Sequence, residues 1–251
     1  SDLIQIGTEL AVILYFRHDI IRILGAWFGS LFGKEGKDFK SRMGAHNRDT
    51  QMGWFIIIGT LPILIAGLLF KDAIESTLRN LWITVTVLII FGILLWVVDA
   101  RAKQVKTMDE MTWKDALIFG IGQMLALIPG VSRSGGTITF GRAMGYTREA
   151  AVRVSFLMAI PAVFGAGILE AVSAVKDVAA GNAGMFPGWG ATIAATIVAF
   201  VVGYVVIIGF LKFVSTFSYK AFAIYRIALA VVVALLLICG VLHPTEVVAA
   251  A

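Results

Sequence analysis

Five apolar runs, Met52 to Phe70, Leu81 to Val98, Val152 to Val175, Trp189 to Phe213 and Phe222 to Leu242, each hold 18 to 25 residues. A helix rises about 1.5 Å per residue, so runs of this length reach across the roughly 30 Å hydrocarbon core of a bilayer. Lipid offers no hydrogen bonds, and a spanning backbone must satisfy its own polar groups, as a helix does within one segment. The pattern predicts an all-α integral membrane protein. Leu3 to Phe16 is a sixth apolar segment, interrupted by Gln5, Thr8 and Glu9. At 14 residues it falls short of a crossing, and no initiating methionine or cleavable leader pattern stands at Ser1, so this reading predicts that part of the first helix lies ahead of Ser1.

Composition agrees. Hydrophobic residues make up 59% of the chain and charged residues 15%, with a mean hydropathy of +0.90, against about 45–50% and about 25% in soluble domains. No polar stretch is long enough to form a separate soluble core, so residues 1–251 read as a single polytopic membrane domain. The one cysteine, Cys239, sits in an apolar run, which excludes an intrachain disulfide and suggests a packing role.

Arg17 to Thr50 carries seven basic residues. Nucleic-acid binding would need aromatics interleaved to stack bases, and a solvated cytoplasmic loop over 17–50 explains the run without them. His18 and His46 lie there without the spacing of a metal site. Further on, Thr112 and Asp115 suggest a capped helix start. The 13 apolar residues from Ala116 to Ile128 end at Pro129-Gly130, too short to cross. They predict a re-entrant helical hairpin at about 116–145, with Thr137 to Gly145 as its returning arm.

Basic residues test that topology. A hairpin entering and leaving on one face puts 17 of the 21 lysines and arginines on one side, three (Lys71, Arg79 and Lys176) on the other, and Arg133 within the membrane. Such asymmetry marks the basic side as cytoplasmic. Pro62 with Gly67, and Pro161 with Gly165 and Gly167, hint at two repeats; an odd number of crossings between them would invert one relative to the other.

Pro129-Gly130-Val131-Ser132-Arg133-Ser134-Gly135-Gly136-Thr137 places one arginine, three hydroxyls and three glycines in nine residues. Arg133 offers a planar fork matching phosphate oxygens, Ser132, Ser134 and Thr137 offer hydroxyls, and Gly130, Gly135 and Gly136 let backbone approach a ligand. Amides at the start of the returning helix favour an anion. These residues together suit a phosphate-type ligand; a serine-capped turn with a structurally paired arginine is the plainer alternative. Gln123 and Glu9 are candidates for supporting roles, each with a bland counterpart in interhelical hydrogen bonding or interfacial hydration.

The run Gly122-Gln123-Met124-Leu125-Ala126-Leu127-Ile128-Pro129-Gly130-Val131-Ser132-Arg133-Ser134-Gly135-Gly136-Thr137 resembles the P-G-x-S-R-S-x-x-T motif of bacterial undecaprenyl-pyrophosphate phosphatases, the bacitracin-resistance family. The likeness extends through Ile4-Gln5-Ile6-Gly7, Leu61-Pro62, Met111-Thr112-Trp113, Ser155-Phe156-Leu157 and Phe222-Ala223-Ile224-Tyr225-Arg226. It implies hydrolysis of undecaprenyl diphosphate to the monophosphate and phosphate, which recycles the lipid carrier for peptidoglycan synthesis. It also implies an inverted-repeat fold in the bacterial plasma membrane, a site open to the outer face, and a divalent cation, Mg²⁺ or Ca²⁺, as cofactor. Arg133 and Ser132 inherit catalytic roles from it, and Gly130, Ser134, Gly135, Gly136 and Thr137 bind the diphosphate. The family's first motif, E-x-x-x-E followed by P-V-S-S-T-x-H, has no counterpart in this sequence. The resemblance therefore implies half a site here, with the first hairpin missing and metal ligands unidentified.

Two other classes fit parts of the pattern. An inverted-repeat transporter or lipid flippase also builds an anion site at the midplane, and a membrane scaffold needs no site. A phosphatase of the S-R-x5-H type is disfavoured, because Thr139 stands where its histidine would be.

Overall fold

The computed structural model describes residues 2–70, 73–74, 78, 80–179 and 189–245. Regular structure among them is helical, apart from one isolated bridge between Lys106 and Tyr146. In chain order the helices are α1 (Asp2–Tyr15), α2 (Arg17–Leu31), α3 (Phe39–Arg42), α4 (Arg48–Leu69), α5 (Leu81–Arg101), α6 (Trp113–Met124), α7 (Arg133–Ala143), α8 (Arg148–Ala179), α9 (Trp189–Thr216) and α10 (Lys220–Ile238). Among the described residues α4, α5, residues Gly190–Val214 of α9, and α10 are long and apolar enough to cross a membrane, while Ile6–Tyr15 is a shorter apolar helix. Pro62 and Pro161 lie inside α4 and α8, as spanning helices tolerate. Of the link expected from Lys176 to Pro187, the first residues continue α8; 180–188 lie outside the described residues, as do Lys71 and Arg79.

The segment expected as a solvated loop over 17–50 is largely helical. Only Phe16 separates α1 from α2, α3 follows, and α4 already begins at Arg48. The physical reason is that the polar residues of this stretch satisfy one another locally. Arg22 pairs with Asp19 at 3.1 Å and with Asp49 at 3.0 Å. Asp38 caps α3 by accepting from the Ser41 amide and hydroxyl, and those hydrogen bonds hold its carboxyl below the usual range. Ile21, Leu24 and Phe28, three and four apart on α2, form an exposed apolar stripe, and Ile23 is buried.

Cα packing divides the chain into two compact units. The first comprises residues 1–54 and 156–213. Its aromatic core links Phe16 to Phe156 (ring centroids 5.8 Å apart) and Phe156 to Phe210 (6.3 Å). The hydroxyls of Ser30 and Thr50, both buried, meet at 2.8 Å, so neither is left unsatisfied.

The second unit comprises residues 55–155 and 214–251. Here α5 and α10 pack side by side through Val85, Ala230 and Leu237, and the α6–α7 hairpin is built against them. The Thr112 hydroxyl accepts from the Asp115 amide while the Asp115 carboxylate accepts from the Thr112 amide, completing the capping box anticipated from sequence. The arms of 12 and 11 residues measure about 18 and 16 Å, short of a crossing. They cross at Gly122 and Gly136, each of which faces the other's backbone where a Cβ would overlap it. Phe119 and Tyr146 close the far end with ring centroids 5.2 Å apart.

Candidate active site

The hairpin turns without a continuous helix because proline cannot extend one and disfavours helical geometry in the residue before it. After α6 a tight turn over Leu125–Leu127 leads to Ile128, which is extended. Gly130 follows with φ of +99°, pressed so closely to α5 that a Cβ would lie 2.7 Å from the Thr84 carbonyl oxygen. Val131 is fully buried. Ser132 then takes φ 67°, ψ 129°, and α7 begins at Arg133, four residues before the expected start of the returning arm. Among the described residues Ser132 is the sole non-glycine with positive φ, in a region that costs a side-chain-bearing residue about 1–3 kcal/mol. The serine thereby becomes the N-cap of α7. Its hydroxyl accepts from the Gly135 amide at 3.4 Å and lies 3.5 Å from that of Ser134, and its carbonyl accepts from the Gly136 amide.

The predicted residues therefore separate into two groups. Ser132 is exposed and Arg133, Ser134 and Gly135 are partly so, which places them together on the open first turn of α7, where the helix dipole favours an anion. Gly136 and Thr137 face inward. Gly136 makes the contact with Gly122, and the Thr137 hydroxyl, fully buried, donates to the Arg133 carbonyl at 2.7 Å. Gln123 is fully buried on α6, and neither amide atom has a hydrogen-bond partner among the described residues. Glu9 is half-buried in the other compact unit, and the Gln5 side chain lies outside the described residues.

Arg226, absent from the predicted site, joins it. Counted by sequence among the cytoplasmic charges near the last link, it instead lies two turns into α10 and is 9% exposed. Its Nη2 donates to the Gly130 carbonyl oxygen, and its Nη1 occupies the space beside Gly135 where a side chain would begin. Its Nε is buried with no hydrogen-bond partner among the described residues. The sequence signal was an arginine inside an otherwise apolar 21-residue run, which is costly in a membrane and marks a site by default. Arg142 was also counted as a loop charge; it is fully buried and paired with Asp99 at 2.9 Å.

The Arg226 guanidinium and the Ser132 and Ser134 hydroxyls thus lie at the turn into α7, and Arg133 is the first residue of that helix. Planar guanidinium forks and first-turn amides suit a multiply charged oxyanion.

Comparison with known proteins decides the family. Residues 1–232 match the family described as Bacitracin resistance protein BacA. The chain belongs to this family. A relative from Bifidobacterium animalis subsp. lactis (strain AD011), called undecaprenyl-diphosphatase, is 76% identical over 244 residues, covering 97% of this chain and 82% of its own length. Relatives with the same name from Bifidobacterium longum subsp. infantis and Paenarthrobacter aurescens (strain TC1) are 71% and 53% identical, covering 96% and 93% of this chain and 81% and 80% of their own lengths. With its long apolar helices and its place in the BacA family, the chain is a multi-pass, all-α membrane protein.

Proposed function

We propose that this protein hydrolyses undecaprenyl diphosphate to undecaprenyl phosphate and inorganic phosphate, recycling the lipid carrier of cell-wall synthesis. The observation that carries the reading is the Arg226 guanidinium bonded to the Gly130 carbonyl, two residues before the N-cap of the helix that Arg133 begins. That arrangement supports a diphosphate cradle within a chain similar throughout to undecaprenyl-diphosphatases.

In this reading Arg133 and Arg226 hold the non-bridging oxygens, and the first-turn amides with the Ser132 and Ser134 hydroxyls complete the cradle. Phosphoryl transfer concentrates charge on the transferring and leaving oxygens, so donors already in place lower the barrier without reorganising. The isoprenyl tail lies against the apolar helix faces in contact with lipid. We keep the plasma membrane, a cytoplasmic location for the basic segments and an outward-opening site as parts of the proposal. A divalent cation belongs to it on family resemblance alone. Among the described residues no three His, Cys, Asp or Glu side chains come together to hold a metal.

Phosphate release from a C55 diphosphate by the purified full-length protein, with Arg133→Ala beside it, tests the reading. Turnover by the wild type and a loss of about a hundredfold or more in the variant are expected. Unchanged turnover in Arg133→Ala removes the role of Arg133, and lipid translocation without phosphate release would favour the transporter reading.

A further inference from the structure

Asp99 ends up at the foot of both helices that carry the site arginines. It lies in the last turn of α5 with its side chain 2% exposed. Arg142, in the last turn of α7, donates from Nε to Oδ1 at 2.9 Å. Arg148, the first residue of α8, donates from Nε to Oδ1 at 2.9 Å and from Nη2 to Oδ2 at 3.0 Å. The amide of Tyr219, the N-cap of α10, donates to Oδ2 at 3.0 Å. The same four elements are cross-tied beyond the carboxylate. Arg142 also donates to the Tyr146 and Asp99 carbonyls, and the Tyr219 hydroxyl donates to the Arg148 carbonyl at 3.2 Å.

One carboxylate therefore fixes one end each of α5, α7, α8 and α10. Arg133 lies nine residues before Arg142 and Arg226 seven after Tyr219, so the two guanidinium-bearing positions stand about 13 and 10 Å along their helices from a shared anchor. A rigid helix carries a displacement at its foot to its working end, and a misplacement of about 1 Å at a reacting centre can cost on the order of a hundredfold in rate. Burial in a well-packed cluster leaves little slack to absorb such a shift.

We propose that Asp99 is a positioning residue for the reaction, setting the height of Arg133 relative to Arg226 through Arg142 and Tyr219. The proposal rests on the diphosphate-cradle reading above, in which those two arginines grip the same substrate. It differs from a purely stabilising role, for which any anion of sufficient reach at this position would serve.

The test compares Asp99→Glu with Asp99→Asn. Glutamate keeps the charge that neutralises Arg142 and Arg148 but moves the anchor by one methylene; asparagine keeps the length and removes the charge. For Asp99→Glu the expected result is a folded protein with a modestly lowered thermal midpoint, at least about a tenfold loss of kcat/KM on a polyprenyl diphosphate per folded protein, and faster amide hydrogen exchange in peptides covering residues 130–136. Asp99→Asn is expected to lower the thermal midpoint as well. Wild-type kcat/KM in Asp99→Glu overturns the proposal, as does a loss matching only the fraction of protein unfolded. The exchange measurement needs no substrate. Unchanged exchange at the hairpin tip in folded Asp99→Glu defeats the positioning role whatever the activity, whereas absence of phosphate release by the wild type defeats the functional reading alone.

Discussion

Nη1 of Arg226 lies 2.5 Å from the point where a Cβ on Gly135 would stand, so the absence of one side chain makes room for the charged end of another. The two residues are 91 positions apart in sequence and belong to different helices, α7 and α10. Gly135 occupies ordinary helical geometry, and any residue could adopt its backbone conformation. What excludes a larger residue there is the guanidinium.

Gly135→Ala is accordingly expected to separate stability from activity. Alanine favours a helix by up to about 1 kcal/mol over glycine, which offsets part of the cost of pushing Arg226 aside. Phosphate-release kinetics are expected to show at least about a tenfold fall in kcat/KM, with little change in the thermal midpoint. Wild-type kinetics would mean that the placement of Arg226 does not matter.

Arg226→Lys keeps a positive charge and gives up the fork. A lysine can still reach a carbonyl, but it cannot donate to the Gly130 oxygen and to two phosphate oxygens in one plane. A loss of about a hundredfold in kcat/KM is expected. Restoration of most of the activity by lysine would show that charge alone suffices.

Gly122→Ala and Gly136→Ala each place a methyl group at the crossing of the hairpin arms, where backbone already meets backbone. Overpacking of this kind costs about 1–3 kcal/mol. Once one alanine has parted the arms the second meets less resistance, so the double variant should be less destabilised than the sum of the two. Thermal unfolding in detergent measures all three.

Asp115 gives the base of the hairpin a pH dependence. Burial raises its carboxyl pKa, but hydrogen bonds from Lys106, Tyr146 and Thr112 together outweigh that and hold it below the usual 3.8. A carboxyl lowered on folding stabilises above its unfolded pKa and loses that contribution as pH falls through the folded value. The stability gap between wild type and Asp115→Asn, about 1–2 kcal/mol, should therefore be constant above about pH 5 and close below pH 3.8. A gap unchanged through that acid range would remove the carboxylate from the account.

The sequence showed what local rules govern. Pro129 and Gly130 break the apolar run where the hairpin turns, Thr112 and Asp115 cap the arm that leads to it, and the long apolar segments became long helices. Charge misled where it stood for two things at once. In residues 17–50 the basic residues suggested a loop although Arg22, Asp19 and Asp49 satisfy one another on helices. By sequence Arg142 and Arg226 read as charges of cytoplasmic links, because their partners, Asp99 and the Gly130 carbonyl, lie 43 and 96 residues away. Pairings of that range follow from how helices pack, which periodicity does not report. The start of α7 at Arg133 was hidden for a related reason: it depends on Ser132 adopting a conformation unusual for serine.

The tight fit around the hairpin tip also limits how the protein could escape an inhibitor. At Gly130 a methyl group would press on the Thr84 carbonyl, at Gly135 on Arg226, and at Gly136 on the backbone of Gly122. A compound seated on this turn would lie against Gly130 and Gly135, with Gly136 packed behind them, and none of the three can enlarge without moving the hairpin or displacing an arginine. Substitutions that weakened such a compound there would also injure the enzyme, so drug resistance would have to arise elsewhere in the chain or outside it.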